Sequence, residues 1–319
     1  MKKISIVILF LFSHLLSFST NPNNKNTAHP DAEIKILCLG NSFTEDAMAY
    51  VPYIINNIAP DLKLTIGIAY IGGCSLQQHY ANIYNETITD IDNNEYTPTT
   101  YTLEKNITGG KWTYLAKQDI YQILNNEEWD IITLQQNGAN AFRDWENYFK
   151  PYLSIYDKLH QLTSYSFTNG WIITQSAYAH SNSIFLDYWE KAANNAVLTS
   201  QLKNCEIFPF GTAIQNLRET DLKNIGDGPY HNLLSDTGHL QEGIGCYAAA
   251  LTMALKILTI SGFNDDSIID HDNTEISEHF LNDMEAPGLN FGTGVIGMTP
   301  ENILLAKQAA KNAIRYPYT

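Results

Sequence analysis

Ile36-Leu37-Cys38-Leu39-Gly40-Asn41-Ser42-Phe43-Thr44 is an apolar run that stops at a glycine and passes into polar residues. Beyond it, Ala47, Tyr50, Val51, Ile54, Ile55 and Ile58 recur at the i, i+3, i+4, i+7 spacing of an amphipathic helix. A short buried strand leading at once into a helix is the opening unit of a parallel sheet, whose neighbouring strands need helical crossovers. Further apolar runs at 64–70, 129–134, 170–175 and 205–210 join the first strand, 34–39, as strand candidates. Helical patterns fill 119–125, 149–163, 183–203 and 243–259. This alternation predicts a three-layer α/β/α sandwich around a five-stranded parallel sheet.

The segment from about 80 to 118 breaks the rhythm. Tyr101–Thr108, Gly109-Gly110 and Lys111–Leu115 read as a β-hairpin, inserted into a single unit spanning 34–319 and placed beside the ligand edge. Residues 262–300 form a second irregular stretch, rich in Asp, Asn and Gly. Residues 1–20 carry Met-Lys-Lys, the apolar Ile4–Leu16 and then Ser17-Phe18-Ser19-Thr20, the layout of a secretory signal. Residues 21–33 follow as a polar linker. No other segment reaches the roughly 18 apolar residues of a membrane helix. The expectation is an exported protein, periplasmic or secreted, with no membrane span.

Loss of Lys2 and Lys3 with the leader takes the formal charge from −15 to −17. Such a chain repels nucleic acid and anionic membrane surfaces, so a neutral or cationic small substrate is the better match. Cys38, Cys74, Cys205 and Cys246 are widely spaced and form no CxxC pair, which argues against zinc. Export permits disulfides, but Cys38 sits in an apolar strand and reads as a small hydrophobe. Asp90–Glu95 lacks the glycine and terminal glutamate spacing of a calcium loop. No cofactor or metal is implied, and oligomeric state is not encoded legibly.

In an open parallel sheet the ligand lies beyond the carboxyl ends of the strands. Ser42, Gly72-Gly73 and Gln135-Gln136-Asn137 each follow a strand and converge on that edge. Far downstream, Asp236-Thr237-Gly238-His239 places a carboxylate three residues before an imidazole. Serine is a weak nucleophile until a base takes its proton, and the base needs a third group to fix its tautomer. A plainer reading stands beside this one. Ser42 also suits the N-cap of the following helix, and an isolated histidine is commonly structural. His79, Tyr178 and His180 follow strand ends and are candidate substrate contacts at the mouth, with surface positions as the alternative. Tyr70 is a further candidate for the cleft wall.

Gly40-Asn41-Ser42-Phe43-Thr44 resembles the first block of the SGNH (GDSL-like) hydrolases, with Asn in place of the usual Asp before the serine. Asp236-Thr237-Gly238-His239-Leu240, followed by Gly243 and Tyr247, looks like their last block. Trp129–Asn137 sits where their third block belongs, although Gln135-Gln136 stand where Gly-x is usual. Phe208–Ala213 and the Leu-Gln-Gln stretch resemble a branch of exported Bacteroidetes proteins. The resemblance covers roughly residues 34–260. It implies a flavodoxin-like sandwich and a Ser42–His239–Asp236 triad. It also implies an oxyanion hole of the Ser42 N–H, the Gly73 N–H (or Gly72) and the Asn137 amide (or Gln135 or Gln136). The activity implied is hydrolysis of short acyl esters, acetyl esters of carbohydrates foremost. A general short-chain carboxylesterase, acyl transfer to a glycan and a non-catalytic glycan-binding protein are the alternatives.

Overall fold

The computed structural model describes residues 33–176, 182–226, 230–276 and 295–319. Strand β1 (Glu33–Gly40) leads into α1 (Ser42–Met48) and α2 (Val51–Ile58), and β2 (Lys63–Tyr70) into α3 (Leu76–Tyr84). A two-stranded ribbon, β3 (Ile88–Thr89) and β4 (Glu95–Tyr96), precedes the hairpin β5 (Tyr101–Ile107) and β6 (Thr113–Gln118). Then come α4 (Ile120–Asn126), β7 (Ile131–Leu134), α5 (Trp145–Tyr148), α6 (Ile155–Leu162) and β8 (Thr168–Ile172). The chain continues through α7 (Asn182–Lys203), β9 (Glu206–Phe208), α8 (Phe210–Arg218) and α9 (Ile244–Ile260) to a C-terminal helix, Pro300–Arg315.

The sheet has seven strands, in the order β6-β5-β2-β1-β7-β8-β9. Its five parallel members are the five expected from the sequence. The two extra strands are the hairpin: β5 pairs antiparallel with β2, Thr65 opposite Ile107 and Tyr70 opposite Thr102. The insertion therefore widens the sheet, covering a β2 edge that would otherwise expose unpaired backbone groups. The order of the parallel strands reverses between β1 and β7, the switch point where doubly wound sheets open a crevice.

Alternate β1 residues serve opposite faces. Ile36 and Cys38 pack with α2, α8, α9 and the C-terminal helix; Leu37 and Leu39 pack under α3, α4 and α6. All four cysteines are buried and free. Two expected helices are interrupted, both at proline. Pro52 cannot donate to the Met48 carbonyl, and the stripe after Ser42 is split into α1 and α2. Lys150–Tyr152, with Pro151 in its first turn, is a 3₁₀ turn, and only Ile155–Leu162 of the expected 149–163 helix is α-helical. No helix among the described residues is long and apolar enough to cross a membrane. The leader expected at 1–20 lies outside the described residues.

Candidate active site

Asn41, at the carboxyl end of β1, is the N-cap of α1, its Oδ1 accepting the Phe43 N–H at 3.0 Å. Ser42 is thus the first residue of the helix, and the cap alternative for its hydroxyl does not apply. An N–H in this first turn has no intrahelical acceptor and lies at the positive end of the helix. Gly40 permits the tight turn, because a Cβ there would lie 2.0 Å from Thr44 Oγ1. That hydroxyl in turn donates to Gln135 Oε1 at 2.7 Å.

The Asp-x-x-His segment is held as a closed loop. Leu234 and Leu240 form an antiparallel bridge, and the Ser235 N–H donates to the His239 carbonyl at 3.0 Å. Asp236 Oδ1 accepts the Gly238 and His239 N–H groups, each at 2.7 Å. Its Oδ2 lies 2.6 Å from His239 Nδ1, and His239 Nε2 lies 2.8 Å from Ser42 Oγ. An ionised carboxylate only accepts, so Nδ1 carries the proton and Nε2 presents its lone pair to the serine. Burial pushes Asp236 up, but the His239 N–H, its imidazole and the Gly238 N–H together hold it below the usual carboxylate range. Burial pulls His239 down, yet the charges of Asp46, Asp236 and Glu45 outweigh it and raise the imidazole. The Phe43 ring meets the His239 ring edge-on at 5.9 Å.

A cleft of about 270 Å³ opens over these atoms, lined by Ser42, Gly73, Asn137, Asp236 and His239 and by the small Gly138 and Ala139. Gly73 holds φ +63° and a Cβ there would meet open space, so its backbone is bare toward the cleft. Gly72 is not among the lining residues and lies beside the Tyr70 hydroxyl. Of the three amides after β7, Asn137 alone reaches the cleft, with Nδ2 donating one hydrogen to the Gly73 carbonyl at 3.2 Å. Gln135 is buried and bonded to Thr44 and Asn41. Gln136 is buried too, its Oε1 accepting the Leu76 and Asn137 N–H groups, each at 2.9 Å, and its Nε2 donating to the Tyr148 carbonyl.

His79 is not at the mouth. It is fully buried on α3, stacked on Tyr101, with Nδ1 3.1 Å from the Tyr101 hydroxyl, and burial lowers its pKa to about 3. That removes it from the surface a substrate can touch. Tyr178 and His180 lie outside the described residues. Sequence reading passed over Asp46 and Gln175, both buried against the loop that carries His239, and over the buried Arg218, which donates to the Asn232 and Ser176 carbonyls. Asp46 carried a legible signal, since four residues after Ser42 is one helical turn along the same face.

The fold is a doubly wound α/β/α sandwich with a crevice at its strand switch point. Residues 35–279 match the family described as Domain of unknown function (DUF4886), and the chain belongs to that family. A DUF4886 family protein from Bacteroides uniformis shares the fold, with TM-score 0.62 and 24% identity over 90% of this chain and 96% of that one. An acetyl xylan esterase, AlAXEase, aligns with TM-score 0.45 and 16% identity over 71% of this chain and 99% of that one. A putative SGNH hydrolase from Slackia heliotrinireducens aligns with TM-score 0.40 and 13% identity over 70% and 99%. No curated protein matches the chain.

Proposed function

We propose that the chain is an exported serine esterase of the SGNH kind that removes short acyl groups, acetyl foremost, from carbohydrates. The observation that carries this reading is the continuous contact from Ser42 Oγ through His239 to Asp236, at 2.8 and 2.6 Å, on the floor of an open cleft. Ser42 Oγ attacks the acyl carbon while His239 Nε2 takes its proton. Asp236 holds the Nδ1–H tautomer and stabilises the imidazolium. The carbonyl oxygen becomes an oxyanion, received by the Ser42 N–H, the Gly73 N–H and the second hydrogen of Asn137 Nδ2. Losing one such donor costs about 100- to 1000-fold in rate. His239 returns the proton to the leaving alkoxide, then activates the water that splits the acyl-enzyme.

The size and lining of the cleft favour a small acyl group, because Gly73, Gly138 and Ala139 leave room close to Ser42 in a cleft of about 270 Å³ among the described residues. The test is release of acetate from acetylated xylo-oligosaccharides and from p-nitrophenyl acetate by wild type and Ser42→Ala. Activity on both substrates, lost in the variant, supports the reading. Activity on the small ester alone favours a general carboxylesterase. Silence on both, without labelling by a fluorophosphonate, refutes catalysis and leaves a glycan-binding protein.

A further inference from the structure

The roles proposed for Ser42, His239 and Asp236 leave a buried carboxyl group beside them without a task. Asp46 is 2% exposed and stands one turn beyond Ser42 on α1. Its Oδ2 accepts the Leu240 N–H at 2.8 Å. Gln175, 1% exposed in the segment after β8, donates from Nε2 to the Gly238 carbonyl at 3.0 Å and approaches Asp46 Oδ2 at 3.4 Å. The two side chains therefore grip the residues on either side of His239. Asp46 rides on the same helix as the nucleophile, so a shift of α1 moves Ser42 and the anchor of its base together.

We propose that Asp46, with Gln175, positions His239 against Ser42 and adds a second, buried counter-charge to the imidazolium formed during ester cleavage. The reaction invoked is that of the serine-esterase reading above, on which this role rests. The ionisable groups around Asp46 are Glu45 on its own helix, Tyr50 just beyond that helix, Tyr70 at the end of β2, His239 and Asp236 in the loop opposite and, behind Glu45, Glu104 of β5. Gln175 is neutral. Of these groups only His239 can become a cation. Burial pushes Asp46 up to about 7, against the pull of His239 and the Leu240 N–H. Its ionisation and the protonation of His239 therefore favour each other. Asp236 is more exposed than Asp46, so the two carboxylates differ in kind: one fixes the tautomer at the rim, the other acts from below in a drier place.

Asp46→Asn keeps an oxygen for the Leu240 N–H and removes the charge; Asp46→Ala removes both. NMR titration of the His239 imidazole, assigned by its loss in His239→Gln, reads the coupling without any substrate. In Asp46→Asn that titration moves to lower pH. With p-nitrophenyl acetate kcat falls about tenfold while KM holds, and the acid limb of kcat/KM moves to lower pH as well. In Asp46→Ala the loss deepens to about 100-fold. Gln175→Met, which loses the Gly238 contact but no charge, lowers kcat and leaves the titration in place. An unmoved His239 titration in Asp46→Asn overturns the proposal, and so does wild-type kcat in both Asp46 variants. Should the wild type cleave no ester, the esterase reading fails by itself. A moved titration then still supports the Asp46–His239 coupling, and an unmoved one still overturns it.

Discussion

Asn41 Nδ2 donates to the Cys74 carbonyl at 2.9 Å, tying the turn before Ser42 to the turn that carries Gly73. The same side chain accepts the Phe43 N–H at 3.0 Å and Gln135 Nε2 at 2.7 Å, all in buried surroundings. An aspartate could accept both of those bonds but could not donate to Cys74. Asp is usual at this place in the proteins the motif resembles, yet here it would set a carboxylate against a buried carbonyl. Asn41→Asp should cost about 1–3 kcal/mol of stability and lower kcat through displacement of Gly73. Urea unfolding with a parallel esterase assay checks it, and equal stability of the two proteins would contradict the account.

Under the proposed serine-esterase reading, the pH dependence of activity follows from His239. His239 is raised above its ordinary value, so the acid limb of kcat/KM should fall at higher pH than for a free imidazole. The same shift acts on stability. A histidine raised in the folded state stabilises fully below its unfolded pKa, and that contribution is lost as pH rises through the folded value. Asp236, held low, stabilises above its unfolded pKa and loses this as pH falls through the folded one. Asp236→Asn should therefore bring the His239 limb to lower pH, together with a large fall in kcat. A pH–rate profile from pH ~5 to ~9, spanning the imidazole range, reads both effects.

Glu45 and Glu104 offer a second pH-linked prediction. Glu104 on β5 is 2% exposed, and burial, then the charge of Glu45, pushes it up to about 9. Glu45 is also raised, chiefly by burial. A carboxyl group whose folded pKa lies above its unfolded one binds a proton more tightly when folded. Its stabilising effect is lost as pH climbs from the ordinary 4.5 toward about 9. Glu104→Gln carries no proton to lose, so its melting temperature should overtake that of the wild type progressively across this window. A gap that stays constant with pH would show that Glu104 is ionised throughout.

Local signals carried the parallel part of the fold. The apolar run into Gly40 and the turn glycines of the hairpin are written in neighbouring residues. Docking of β5 on β2 is not, because pairing at a sheet edge is decided by contacts between residues some forty positions apart, such as Thr65 and Ile107. The helix breaks at Pro52 and Pro151 were legible, yet the apolar stripes masked them. Among the amides after β7, sequence could not separate Asn137 from its neighbours. Gln135 is taken up by Asn41 and Thr44, far away in the chain and adjacent only once β1 and β7 pair. His79 misled for the same reason: six residues after Gly73, α3 has already turned its histidine inward to Tyr101.

Gln136, at the variable place just before Asn137, yields the sharpest stability test. Its Oε1 accepts two backbone N–H groups, Leu76 at the start of α3 and Asn137 in the cleft wall, while Nε2 donates to the Tyr148 carbonyl. Gln136→Leu strands donors and an acceptor in a buried place and should cost about 2–4 kcal/mol, lowering kcat as Asn137 loosens. Gln136→Glu keeps the two accepted bonds but turns a carboxylate oxygen toward the Gln77 oxygen and the Tyr148 carbonyl. Only the protonated acid can donate there. The glutamate's pKa should therefore rise on folding, and the variant should grow less stable as pH climbs, approaching the wild type in mild acid. Chemical denaturation at several pH values measures this, and a Gln136→Glu deficit that does not change with pH would refute the donor role of Nε2.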